Sequence, residues 1–285
     1  MAKICSRRSF IRDGPCSIAS PVGGRCSVLE AAFMNEASLD IRAKPTTRFR
    51  RPSFYAGMSV LLISYVIAGF WPKYFGVIVD PRLRPPHPGW IIHAHAAVFL
   101  GWMLIFVIQA LSPWLGRTDL HLKLGLSMAG YGVFVILFGA WASIMLEVHR
   151  YSFTHDLNLS AMRLLISLET IVLFGSFLIA AIWYRKKPEI HKRLMVVATF
   201  SLAAPGISRV LLLVLHVPPD NRLLIQSVFL LPLYLCLAWD WRTRGAPHPV
   251  YFLGIAGNLA LFNSGWFART DLWQSIGRSL LQPFL

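Results

Sequence analysis

Two short stretches of the chain carry the same order of residue types. RTDLHLKL (Arg117 to Leu124) and KPEIHKRL (Lys187 to Leu194) both read base, any residue, acid, aliphatic, histidine, any residue, base, leucine. They lie 70 residues apart, and each is preceded by a tryptophan, Trp114 or Trp183. Neutral imidazoles bind transition metals well. One histidine from each stretch offers two-point ligation of a haem iron or a copper ion by His121 and His191, with Asp119 and Glu189 as outer acceptors. A purely structural reading accounts for most of the pattern, since an acid suits a helix start and basic residues suit cytoplasmic loops. It does not account for the two histidines in one register.

A second pair of imidazoles opens the stretch IIHAHAAVFLGW, Ile91 to Trp102. Helical positions turn by about 100° per residue, so His93 and His95 face nearly opposite ways and only one points inward. The expectation is His95, beside Ala96 and Phe99. Glu169 reads as the one carboxylate well inside an apolar run, and Arg209 as the one permanent cation. Helical rise puts them at matching depths, about 12 and 10 Å from one surface. Unpaired charges at such depth are costly, which predicts an ion pair between Glu169 and Arg209. Gln226 and Asn263 belong to the same layer, so His95, Glu169, Arg209 and Gln226 become candidate walls of a polar pocket. A polar knot that only fixes helix packing explains the same residues.

The elements that position these residues follow from composition. The chain has 285 residues, 55% hydrophobic and only 14% charged, with a mean hydropathy of +0.55. Soluble domains carry nearer a quarter charged residues. Seven apolar blocks stand out, approximately 54–70, 90–111, 122–146, 161–184, 194–216, 223–239 and 250–267. About 20 residues of helix cross a bilayer core, so the predicted fold is an all-α polytopic transmembrane bundle of about seven spans in a lipid bilayer. The seventh block is the weakest, being short and carrying Asn258 and Asn263. The matched stretches make blocks two–three and four–five a parallel two-helix repeat about an axis along the membrane normal, which would set His121 opposite His191.

The net charge of +15 sits in short clusters between apolar blocks rather than on a soluble basic domain, which argues against nucleic acid as a partner. Fourteen Lys and Arg residues flank one side of the blocks and eight the other. This bias predicts a cytoplasmic N-terminus in an inner, cytoplasmic membrane. Of four cysteines, Cys5, Cys16 and Cys26 precede the blocks and Cys236 is alone within one, with no zinc-like spacing. No GxSxG, HExxH, P-loop or dinucleotide-binding glycine pattern occurs.

Residues 1–50 read as a disordered basic extension. SRRSFIR (Ser6 to Arg12) resembles a twin-arginine signal but lacks the apolar segment that must follow it, and a true start at Met34 is the simpler account. The bundle should occupy residues 51–268, with 269–285 as an interfacial C-terminal segment.

At HAHAAVFLGW, HLKLG and EIHKRLMVVATFSLAAPGISR the chain resembles a family of bacterial multi-pass membrane proteins known as a domain of unknown function. That family is distantly similar to cytochrome b561-like haem proteins and to an assembly factor for haem–copper oxidases. The resemblance spans roughly residues 70–239 and implies functional roles for His95, His121, His191 and Arg209, haem b or copper as cofactor, and respiratory-chain membrane complexes as partners. A two-haem cytochrome places ligands from one helix in both leaflets. Here His121 and His149 would lie about 42 Å apart and His191 and His216 about 38 Å apart, beyond the bilayer core. The spacing argues against two haems and leaves a single site open. The readings that follow are a redox or metal-handling membrane protein, an assembly or scaffold protein, and a small-solute transporter using Glu169 and Arg209.

Overall fold

A long apolar segment in lipid can satisfy its backbone polar groups only within a helix or a closed barrel, and this chain takes the first course. The computed structural model describes residues 54–80, 82, 89–218 and 220–285, and no strand occurs among them. The basic extension, the start at Met34 and the flanking Arg42, Lys44, Arg48, Arg50 and Arg51 used to orient the chain lie outside the described residues.

The described residues form ten α-helices in order: α1 (Phe54–Phe70), α2 (Phe75–Val79), α3 (Trp90–Trp114), α4 (Thr118–Thr154), α5 (Leu157–Trp183), α6 (Pro188–Arg209), α7 (Arg222–Phe229), α8 (Leu231–Arg244), α9 (Pro249–Asn263) and α10 (Asp271–Leu281). Among the described residues five helical segments are long and apolar enough to cross a membrane, and a sixth counts if α7 and α8, bent by 51° at their junction, form one span. The chain is a multi-pass helical membrane protein. The seventh apolar block forms α9, only 15 residues long, which continues into a 3-10 turn at Ser264–Arg269.

Local chemistry sets the boundaries. Pro188 opens α6, where its missing N–H costs nothing. The Asp156 carboxylate caps α5 by accepting from the Leu159 N–H at 2.9 Å. Gly245, at φ 78°, ends α8 in the left-handed conformation that glycine adopts without strain. Helix α4 runs for 37 residues, about 55 Å at the standard rise, so it overhangs the hydrocarbon core.

The core forms around α6, which packs on α5, α1 and α9 and buries nearly every residue from Arg193 to Ile207. Buried Trp102 of α3 meets Phe174 of α5 edge to face at 5.1 Å, and its indole N–H donates to Thr199 Oγ1 of α6 at 3.4 Å. The two hairpins α3–α4 and α5–α6 thus share one interior. At the far end of α6, α1 approaches so closely that a Cβ on Gly69 would stand 2.0 Å from the Gly206 carbonyl oxygen. Only glycine permits that backbone contact.

The C-terminal segment forms α10. Its indole anchor, Trp273, donates to the Ala161 carbonyl at 2.8 Å, and Arg278 Nη2 donates to Asn158 Oδ1 at 2.5 Å. Both partners lie on the first two turns of α5, so α10 is fixed to the end of the bundle where α5 begins and α6 finishes.

Candidate functional site

The matched stretches form the first turns of α4 and α6, which begin at Thr118 and Pro188 in the same 70-residue register. Each follows a tight turn from the preceding helix, closed by Arg117 N–H to the Ser112 carbonyl in one case and Lys187 N–H to the Tyr184 carbonyl in the other. His121 and His191 consequently meet at one end of the bundle, with ring centroids 6.4 Å apart and ring planes at 76°.

Each imidazole is held by the helix before it. His121 Nδ1 lies 3.1 Å from the Gln109 carbonyl oxygen of α3, and His191 Nδ1 lies 2.8 Å from the Ala181 carbonyl oxygen of α5. A carbonyl only accepts, so both Nδ1 atoms carry the hydrogen and donate. In the neutral ring that leaves Nε2 with its lone pair, the tautomer used by a metal ligand whose other nitrogen is fixed by an acceptor. The expected outer acceptors, Asp119 and Glu189, do not serve: Asp119 faces Arg117 at 3.9 Å, and Glu189 is bound to basic side chains.

That second cluster escaped the sequence reading. Arg193, two residues after His191, is buried with Asp240 of α8 in a bidentate pair, Nε to Oδ2 at 2.7 Å and Nη2 to Oδ1 at 2.6 Å. Arg193 Nη1 also donates to Glu189 Oε2 at 2.9 Å, and Arg244 Nη1 reaches the same oxygen at 2.9 Å. The His248 backbone N–H donates to Asp240 Oδ2 at 3.2 Å, joining the start of α9. Asp240 directly follows the sixth apolar block in sequence, so nothing in its position marks it as buried. The one hint is that Arg193 takes the register of Lys123, six residues inside a helix rather than in a loop.

The predicted intramembrane pair is corrected. Glu169 accepts a hydrogen bond from Ser264 Oγ at 2.6 Å, whereas Arg209 donates to the Pro205 carbonyl at 3.0 Å and lies over the Phe70 ring at 4.4 Å. No ion pair joins the two. Equal depth sets height in the membrane but not direction around the helix axis, and the two side chains turn toward different neighbours, the Ser264 turn and α1. Nor is Glu169 the most deeply placed carboxylate: Glu147 of α4 is fully buried and pairs with Arg150.

His95 stacks on Phe99 with centroids 4.3 Å apart, and its buried Nδ1 has no hydrogen-bond partner among the described residues. His93 is exposed and meets the Tyr74 hydroxyl at 3.2 Å. Gln226 Nε2 donates to Asn263 Oδ1 at 3.2 Å. The four proposed pocket walls therefore divide between separate contacts, His95 on Phe99, Arg209 on Phe70, Glu169 on Ser264 and Gln226 on Asn263.

The residues at the histidine pair suit a group that needs two protein ligands. Two imidazole nitrogens on one metal, each at about 2.0 Å, put ring centroids roughly 6 Å apart, close to the separation found. Among the described residues no three His, Cys, Asp or Glu side chains cluster as a metal cage. Two ligands complete a haem iron, whose other four positions belong to the porphyrin, or a two-coordinate cuprous ion. The side-chain amide of Gln109, the residue whose carbonyl holds His121, is buried with neither polar atom partnered among the described residues. Buried amides are seldom left so.

Fold and site together define a class, a helical multi-pass membrane protein with an imidazole pair at one end. No protein-family model, curated protein or solved structure matches this chain.

Proposed function

We propose that His121 and His191 jointly hold one haem b iron or one copper ion, and that the protein has a redox or metal-handling role in the membrane. The observation that carries this reading is the doubly fastened pair: two rings 6.4 Å apart, each with Nδ1 given to a backbone carbonyl. Pre-set tautomers lower the cost of ligation because neither ring needs to reorient. Such a centre would supply one-electron chemistry or soft-metal transfer. The chain's own part is to keep both Nε2 lone pairs available between two helix starts. The reading includes an inner-membrane location, a cytoplasmic N-terminus and respiratory-chain membrane complexes as partners. The pair would then face the cytoplasm.

The test is an optical and metal analysis of detergent-purified protein from haem-replete, copper-replete cells. A Soret band or stoichiometric copper or iron is expected, lost in the His121→Ala/His191→Ala variant. A colourless, metal-free preparation overturns the proposal and favours a scaffold whose polar residues only organise the bundle.

A further inference from the structure

At the end of the bundle opposite the histidine pair, the start of α7 and the turn after α9 line an open surface cavity of about 300 Å³ formed by Arg222, Asn263, Gly265, Trp266 and Arg269. Two guanidinium groups share this small space, and no carboxylate lines it. Neither arginine forms an ion pair with an acid among the described residues. Asp220 and Asp271 stand two residues from them in sequence without reaching either, and Glu169 is bound to Ser264.

The cavity is constructed rather than incidental. Arg222 Nη2 donates to Asn263 Oδ1 at 2.8 Å and its guanidinium lies 5.7 Å from the Phe262 ring centroid. Gln226 donates to the same Asn263 oxygen, and Asn263 Nδ2 donates to the Leu259 carbonyl at 2.7 Å. One of the five donors of Arg222 is thus spent on fixing its direction, and Arg269 is spent on no other described side chain.

The setting identifies the chemistry that fits. Helix α10 turns Trp273, Gly277 and Leu281 to the protein and leaves a parallel stripe exposed, Leu272 at 64%, Ile276 at 43% and Leu280 at 38%. A helix with an apolar stripe turned away from its own protein lies at the acyl boundary of a leaflet. Trp266, on the rim of the cavity, is 71% exposed, as an interfacial indole should be. Arg269 stands two residues before this helix and shares the cavity with Arg222, so both guanidinium groups stand at headgroup depth.

We propose that this cavity binds the phosphate of an anionic glycerophospholipid, with Arg222 and Arg269 donating to its oxygens and the acyl chains running along the exposed stripe of α10. Paired guanidinium groups match phosphate geometry and bind it through charge-assisted hydrogen bonds. With no carboxylate in the cavity, a zwitterionic headgroup would bring its ammonium against two positive charges, so a net negative headgroup is selected.

The full-length, delipidated protein in neutral detergent is titrated with phosphatidylglycerol, phosphatidylcholine and inorganic phosphate, with bound lipid read by native mass spectrometry and melting temperature recorded in parallel. Phosphatidylglycerol should bind one to one and raise the melting temperature, with phosphatidylcholine and phosphate doing neither. Arg222→Gln/Arg269→Gln should weaken phosphatidylglycerol at least about tenfold, the scale of losing charge-assisted contacts. The control Lys123→Gln/Lys186→Gln, which removes equal charge at the other end, should not. Arg269→Gln alone disturbs no side-chain hydrogen bond among the described residues and carries the test if the double variant loses its fold. Unchanged lipid retention in the arginine variants, or equal loss in the lysine control, overturns the site. Equal binding of phosphatidylcholine overturns the headgroup selectivity. Displacement of the lipid by millimolar phosphate would make it a small-anion site and overturn the lipid assignment.

Discussion

Arg193 of α6 and Asp240 of α8 grip each other through two parallel hydrogen bonds of 2.7 and 2.6 Å in a fully buried position, two residues from a histidine of the candidate metal site. The pair ties the start of α6 to the end of α8, and Glu189 and Arg244 close a second link across the same helices.

Losing one member of a buried pair strands the other charge. Asp240→Ala or Arg193→Ala should therefore cost about 3–5 kcal/mol. Arg193→Met/Asp240→Leu, which leaves neither charge of the pair buried alone, should melt closer to the parent than either single change. Melting temperature and folded yield in detergent are the measurements. A double variant as damaged as the singles would show that the pair is not acting as a unit.

A single centre shared by two imidazoles loses its metal when either ring is removed. His121→Ala and His191→Ala alone should each abolish the Soret band or metal content as fully as the double variant does. Half-occupancy in the singles would indicate two independent weak sites instead. Gln109→Ala keeps the carbonyl that orients His121, so its effect on the spectrum reports on the unpartnered amide alone.

Glu169 and Arg209 should behave as strangers. Their double-mutant coupling is expected to stay below about 0.5 kcal/mol, as for sites without shared partners. The charge-swapped Glu169→Arg/Arg209→Glu protein should fare no better than its singles in folded yield. Ser264→Ala should instead couple to Glu169→Gln.

Close approach of α1 and α6 makes Gly69 a sensitive position. Gly69→Ala forces a Cβ against the Gly206 carbonyl and should cost about 1–3 kcal/mol in thermal unfolding. Gly57→Ala, on the same helix with nothing within 4 Å of the added Cβ, should be neutral or slightly stabilising.

The indole of Trp273 anchors α10 to α5. Trp273→Ala should release the last helix, seen as faster amide exchange over residues 271–281 and early proteolysis there, while exchange in α6 stays slow.

Much of the bundle was legible in the sequence because bilayer thickness and the helical rise act on every segment alike. The matched stretches were legible for a related reason: equal spacing after a tight turn starts two helices in the same register, and His121 and His191 inherit that phase. Likewise His95 is the ring turned inward and His93 the ring turned out, as alternation around a helix requires. Partner choice between helices was not legible. Arg193 finds Asp240 across 47 residues of chain, and Glu169 turns to Ser264, because rotation of each helix about its axis is decided by packing against all neighbours together. The long α4 hid a further case: Glu147 lies just past the apolar block, yet the helix runs on to Thr154 and carries it into the interior.

The two halves of the repeat are unequal in how they are enclosed. Helix α6 is walled in on nearly every side, so His191 sits on a stiff spindle whose rotation would tear the Arg193–Asp240 clasp. Helix α4 instead turns Leu122 and Leu126, 76% and 84% exposed, outward beside His121. Any adjustment of the gap between the two rings must then come from the His121 side. The pair thus joins a helix enclosed by protein to one that borders the bilayer.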